Sequence, residues 1–253
     1  MKENFINALE DNNLIEMRKI PKSDLHNHGT RGGNIKYIED WAGKKISRPV
    51  SKFKDLHEMQ QWNNQNIAPE VIFIPEIGFG TGIPLDEMAE LLELFLVRDY
   101  FKSIDMYGDE YALPAYKKIF RRAKTNGLIL KAHVGEFGNA ELVRKVAEEL
   151  ELDQVQHGIA AAESQSIMKW LSDNRIQLNI CPASNILLGR VENYNVHPIR
   201  KLYDNGVRVT INTDDMLIFG QSVSEEFFNL YNAGVFTAAE LDEIRQNGLS
   251  VVC

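Results

Sequence analysis

Cysteine is nearly missing from this chain. Its two copies, Cys181 and Cys253, follow an apolar run and end the sequence. No structural disulfide is expected from them, and two cysteines cannot make a metal site alone. Long apolar runs are missing as well: none approaches the ~20 residues that cross a bilayer. Residues 1–8 lack the apolar stretch of a secretory leader and read as an amphipathic start. A cytoplasmic protein is expected. Basic charge is scarce, with 28 Lys and Arg against 36 Asp and Glu and a net charge of -8. Nucleic acid and anionic membranes are bound through Lys and Arg, so neither is an expected partner. A small anionic substrate in a local pocket stays compatible with that balance. No Gly/Ser linker, charge block or internal repeat divides the chain, and residues 1–253 read as one domain.

What is present is ordinary globular material, 44% hydrophobic and 25% charged over 253 residues. That suffices for a sizeable core and suits one α/β barrel. Short apolar runs at 22–28, 71–74, 103–108, 128–134, 155–158, 176–181 and 207–212 predict strands. Helical spacing recurs between them at 84–101, 113–126, 140–150, 164–174 and 198–205. Two more helices are expected at 224–233 and 238–249, and a capping helix at 4–19. Such alternation argues a parallel sheet. The expected fold is an α/β, TIM-type (β/α)8 barrel. It is short or locally incomplete, because the strands legible here fall one short of a closed ring, between His28 and Val71.

The strands end in polar groups. The central run, 128–134, leads into His133, Gly135 and Glu136. The first ends in His26-Asn27-His28, where alternation sends His26 and His28 one way and Asn27 the other. Later runs end in His157-Gly158 and in Thr213-Asp214-Asp215. In α/β barrels chemistry collects at this end of the strands. Three neutral imidazoles, His26, His28 and His133, with the Asp214 carboxylate form an ordinary set for one catalytic zinc. Zinc lowers the pKa of water toward about 7. Iron and cobalt accept the same ligand types. Glu136, His157 and Asp215 are placed to move protons. Each residue also has a bland reading: a barrel histidine is usually a satisfied polar group, and Asp214-Asp215 can cap a helix. His57 and His197 read as bland. The combination, with each motif ending a separate apolar strand, points to one shared metal site.

These motifs resemble the adenosine deaminase family of zinc-dependent purine deaminases, within the amidohydrolase superfamily. The matching pieces lie at 21–28, 104–110, 133–136, 156–158, 181–185 and 212–219, in the family's order over most of the chain. His-x-Gly-Glu and Thr-Asp-Asp are the pieces that narrow the resemblance. It implies that His26, His28, His133 and Asp214 bind zinc. It implies that Glu136 protonates purine N1 while C6 is attacked, and that His157 orients or deprotonates the water. Asp215 would hold that water and contact N7, and the Gly135 amide would hold N3. His28, Gly135, Asp215, Thr30 and Arg31 make up the expected substrate-binding set. The substrate implied is adenosine or a related 6-aminopurine nucleoside or nucleotide.

The chain departs from the family pattern in places. An acidic residue and a glycine usually follow the second histidine, and the acid contacts the sugar's 5′ side. Here Gly29-Thr30-Arg31 follows His28. Arg31 and the glycine-rich stretch 78–82 then either receive a phosphate or another 5′ group, or are ordinary loop. The chain is shorter than typical members, which would open the pocket or remove a lid. Gln156 stands where a basic or apolar residue often precedes the histidine. Two other readings compete: another amidohydrolase that cleaves an amide or ester, and a purine-binding protein without catalysis. The 5′ substituent and the oligomeric state are left open.

Overall fold

A computed structural model describes residues 1–28, 57–58, 60–61 and 71–250. Six strands form one sheet in sequence order, every neighbouring pair parallel: β1 Glu76–Gly80, β2 Ser103–Tyr107, β3 Ile129–Val134, β4 Gln154–His157, β5 Gln177–Ile180 and β6 Val209–Ile211. Sequential parallel order with helical crossovers is the arrangement of an α/β barrel. Among the described residues the sheet is not closed. The segment carrying His26 and His28 does run along the free edge of β6. It contributes one parallel bridge, Asn27 with Asp214, rather than a full strand. No helix among the described residues is long and apolar enough to cross a membrane.

β2 to β5 fall where the sequence predicts them and are buried on both faces, although β4 (Gln154-Val155-Gln156-His157) and β5 (Gln177-Leu178-Asn179-Ile180) alternate polar and apolar residues. The run at 71–74 misleads. Val71, Ile72 and Phe73 are exposed, and the strand begins at Glu76. Within β1, Ile77 and Phe79 are buried on one face while Gly78 and Gly80 lie against the Tyr107 ring. The stretch 78–82 is therefore strand and turn, not a free loop. Thr81 fastens it to β2, donating its N–H to Tyr107 O at 2.9 Å. The expected helix at 4–19 breaks into Lys2–Glu10 and Leu14–Lys19, with Asn12 left-handed at φ 51°. Ile15, expected on its apolar side, is exposed. A helix at Pro182–Leu187 was not legible in the sequence.

The barrel interior is polar rather than filled with branched aliphatic layers. Asn179 on β5 uses every valence of its amide. It donates to Gln154 Oε1 (2.8 Å) and Gln156 Oε1 (2.9 Å) and accepts from Gln177 Nε2 (2.8 Å) and Thr210 Oγ1 (2.8 Å). Asn212 continues the chain: it donates to Thr210 Oγ1 at 2.9 Å and accepts the Leu25 N–H at 2.8 Å. Gln156, whose departure from the family pattern had no clear consequence in sequence, is thus part of a buried floor. The last helix, Ala238–Leu249, holds the N-terminal segment from outside. Its fully buried Arg245 pairs with Asp242 (2.7 Å) and donates to Pro21 O (2.9 Å).

Candidate active site

The floor delivers His26. Asp214 N–H donates to His26 O at 2.8 Å, and His28 N–H returns a bond to Asp214 O at 3.2 Å. This clasp sets the two histidines beside Asp214. Asn27 turns the other way, as alternation requires, and donates to Asp24 Oδ2 (3.0 Å) and Thr213 Oγ1 (2.9 Å). Two residues at the site hold left-handed backbone without being glycine, His157 (φ 62°) and Asp214 (φ 61°). Such conformations cost on the order of 1–3 kcal/mol and persist where surrounding contacts over-determine them. Here they redirect the side chains at the ends of β4 and β6 into the site.

Imidazole nitrogens converge. His26 Nε2 lies 2.9 Å from His133 Nε2, and His28 Nε2 lies 3.1 Å from Asp214 Oδ1. Ligand atoms of His26, His28 and His133 all lie within 4.8 Å of one another, as do those of His28, Asp214 and Asp215. The outward ring nitrogens are spoken for. His26 Nδ1 faces Asn179 O at 3.5 Å, with Cys181 Sγ at 3.3 Å, and His133 Nδ1 faces the Asp105 carboxylate at 3.1 Å. The Asp105 carboxylate only accepts, so His133 Nδ1 carries a proton and its Nε2 faces the site, while His26 Nδ1 has both an acceptor, Asn179 O, and a thiol, Cys181, within reach. Two imidazole nitrogens that converge this way can share a proton or bind a metal ion. An outer carboxylate or carbonyl fixing the tautomer of a ligating histidine is the usual support of a metal site. The donor set therefore fits a metal ion, and soft thiolate is not required of it.

In the metal-free protein a proton on His133 takes the place of the ion. Burial alone would lower the His133 pKa, but the Asp105 carboxylate outweighs it and lifts the imidazole to about 9. Burial pushes the other way at Asp214. There the hydrogen bond from His28 and the nearby His157 hold the carboxyl down at about 2. Burial and then the Asp214 charge raise Glu136 to about 7. Its Oε2 stands 3.5 Å from His157 Nε2, and its Oε1 is buried without a hydrogen-bond partner. Glu136 is thus a carboxyl able to hold or release a proton near neutrality, set beside the histidine cluster. Asn185 Nδ2 lies 3.2 Å from His157 Nδ1, and Ser184 Oγ donates to Asp214 Oδ2 at 2.7 Å.

The expected residues His26, His28, His133, Glu136, His157, Asp214 and Asp215 come together at the C-terminal end of the sheet. Asp215 begins the short helix Met216–Phe219, yet its side chain makes no capping hydrogen bond. The helix-cap reading of the Asp pair therefore does not account for it. Thr30 and Arg31 lie outside the described residues. The Gly135 expectation needs correction: its N–H is given to Glu110 Oε2 at 2.7 Å, so the amide is not free to hold a purine ring. His197 is as bland as expected, accepting Ile199 N–H at 3.1 Å to cap a helix. His57 is exposed and meets Gln61 at 3.0 Å. Asp105, Glu110, Ser184 and Asn185 support the site without having been singled out. Their one signal was that all four fall inside the motif blocks.

The model for the family described as adenosine deaminase matches residues 83–252. The chain belongs to the adenosine deaminase family. An adenosine deaminase from Clostridium acetobutylicum is 36% identical over 150 residues, covering 58% of this chain and 45% of that protein. The chain spans about half the length of the curated relatives it matches. The fold is shared with an adenine deaminase from Arthrobacter aurescens (TM-score 0.69, 23% identity, 77% of this chain and 60% of that one). It is shared as well with an amidohydrolase from Burkholderia ambifaria with bound Zn (TM-score 0.65, 23% identity, 77% and 55%). Within the family match lie His133, Glu136, His157, Asp214 and Asp215; His26 and His28 precede it.

Proposed function

We propose that this chain carries out metal-dependent hydrolytic deamination of a 6-aminopurine, free or as its nucleoside or nucleotide. The observation that carries the reading is the placement of the Glu136 carboxyl, its Oε2 3.5 Å from His157 Nε2 and its Oε1 buried without a hydrogen-bond partner, beside the converging imidazoles. Water activation alone needs no such acid. Attack on a purine ring does, because negative charge develops on the ring nitrogen as oxygen adds to the carbon. Family membership and the names of the relatives, among them both adenosine and adenine deaminases, support the same chemistry.

His26, His28, His133 and Asp214 would hold the metal, read as one zinc per chain. Bound there, zinc supplies a water acidic enough to lose its proton near neutral pH. His157 orients that water and takes its proton. Glu136 gives a proton to N1 as the C6–O bond forms, and Asp215 holds the water and faces N7. His157 returns its proton to the amino nitrogen, the C6–N bond breaks, and the C6 hydroxyl gives its proton to Glu136 as ammonia leaves a carbonyl at C6. Asp105 keeps the His133 lone pair aimed inward throughout. The chain acts as one unit, with Arg245 tying the last helix to the segment that carries His26.

The test is ammonia release by the zinc-loaded full chain from adenosine, 2′-deoxyadenosine, AMP, 5′-methylthioadenosine, adenine and guanine. Turnover of one or more of the adenine compounds, with loss of the adenine absorbance, is expected. Silence across the panel with zinc bound would sink the reading in favour of another amidohydrolase or a purine-binding protein. Turnover confined to compounds with a 5′ phosphate or thioether would bring Arg31 into the substrate site.

A further inference from the structure

One buried carboxylate gathers four consecutive backbone amides. Glu110 follows β2 and is only 5% exposed. Its Oε2 accepts from Gly135 N (2.7 Å) and Gly138 N (3.0 Å), and its Oε1 from Glu136 N (3.1 Å) and Phe137 N (2.9 Å). These are the residues that lead from the end of β3 to the helix Ala140–Leu150, and Glu136 is the second of them. Nothing in the local sequence around Glu136 dictates that path. The chain curls there because the carboxylate draws the N–H groups to one point, and charge-assisted bonds of this kind are the strong ones.

The loop is built to match. Gly135 is left-handed at φ 78°, and a Cβ there would come within 2.3 Å of Val143 Cγ2. At Gly138 a Cβ would come within 2.6 Å of Glu110 Oε2 itself. Both glycines are thus needed for the loop to close on the carboxylate. With the backbone so held, the Glu136 side chain stands toward His157, its Oε2 3.5 Å from Nε2. A glutamine at 110 cannot substitute. It offers one acceptor oxygen, and its NH2 would oppose two of the four donors.

We propose that Glu110 is the positioning residue for Glu136: its carboxylate clamps the amides of residues 135–138 and thereby fixes the proton donor against the ring. The proposal rests on the deaminase reading for its consequence in turnover but not for the clamp. Misplacing a reacting group by about 1 Å can cost on the order of a hundredfold in rate.

The experiment uses the full zinc-loaded chain and has two arms. In the first, amide hydrogen exchange is followed in the wild type and in Glu110→Gln. Exchange at 135–138 is expected to quicken by about tenfold or more in the variant, while the β3 amides keep their rates. Equal rates at 135–138 would overturn the clamp. In the second arm, Glu110→Gln is expected to lower kcat by about 10- to 100-fold with KM and zinc content little changed. Placed on Glu136→Gln, it is expected to cost no further turnover, since residues that act through one another are non-additive. An equal loss on both backgrounds would mean a general structural role and overturn the proposal. If Glu110→Gln does not fold, Gly138→Ala displaces the same clamp by crowding Glu110 Oε2 and serves in both arms. A wild type that turns over no purine would sink the deaminase reading, and the exchange arm would then decide the clamp by itself.

Discussion

His26 Nε2 and His133 Nε2 face each other at 2.9 Å, and the outer nitrogen of each ring is already engaged, by Asn179 O and by Asp105. A shared proton or a metal ion between these nitrogens satisfies the pair.

A metal ion is therefore expected to bind here and to stabilise the fold. Zinc at a hundred times its Kd contributes about 2.7 kcal/mol, which for a chain of this size raises Tm by roughly 5–10 °C. Chelation is expected to reverse that rise. Asp214→Ala is expected to lose both the rise and the bound ion. An unchanged zinc content in Asp214→Ala would remove this residue from the ligand set.

Glu136→Gln keeps the size of the side chain and removes its proton. The variant is expected to retain zinc and to lose about a hundredfold or more in kcat, the usual worth of a general acid. If steady-state ammonia release stayed above about a tenth of the wild-type rate, the acid would have to be sought elsewhere.

Metal-free protein is expected to lose stability between about pH 6.5 and pH 9. The sign follows from His133. Its folded pKa of about 9 exceeds the ordinary imidazole value of 6.5, so the folded state binds the proton more tightly. That contribution is complete below about pH 6.5 and gone above about pH 9. Burial opposes the charge, and the Asp105 carboxylate overrides burial. Asp105→Asn should therefore flatten the slope. Tm recorded against pH in the presence of chelator measures it; a slope equally steep in Asp105→Asn would refute the assignment. Added zinc takes the place of the proton and is expected to flatten the profile in the wild type.

Much of this was legible in the sequence, and for identifiable reasons. β2 and β3 are announced by largely apolar runs, and β4 and β5 by the apolar residues Val155, Leu178 and Ile180 that alternate with polar ones. His26, His28, His133, Glu136, His157, Asp214 and Asp215 each stand at or just past a strand or bridge end, and parallel strands bring such ends together. What the sequence hid depends on partners far along the chain. The run 71–74 is as apolar as a strand, yet the residues that pair with β2 are Glu76–Gly80, where glycines make room for Tyr107. Glu110 reads as a surface residue after a strand until the 135–138 amides are seen to close on it. The same four bonds explain the error at Gly135, since an amide free in the sequence is occupied in the fold. Asn185 and Ser184 lie in a helix that periodicity did not predict, because Pro182–Leu187 is too short to show a period.

The saturated amide of Asn179 has an evolutionary consequence. Its four bonds reach Gln154, Gln156, Gln177 and Thr210 on three strands, and its own carbonyl meets His26. Any single replacement among these five strands at least one buried donor or acceptor, at about 1–3 kcal/mol. An exchange of the whole set for apolar side chains of matching volume removes donors and acceptors together, leaving only Asn212 Nδ2 without its Thr210 acceptor. The floor beneath the histidines is therefore expected to drift as a block: lineages that differ at position 179 should differ at 154, 156, 177 and 210 in company, while the histidines above stay put.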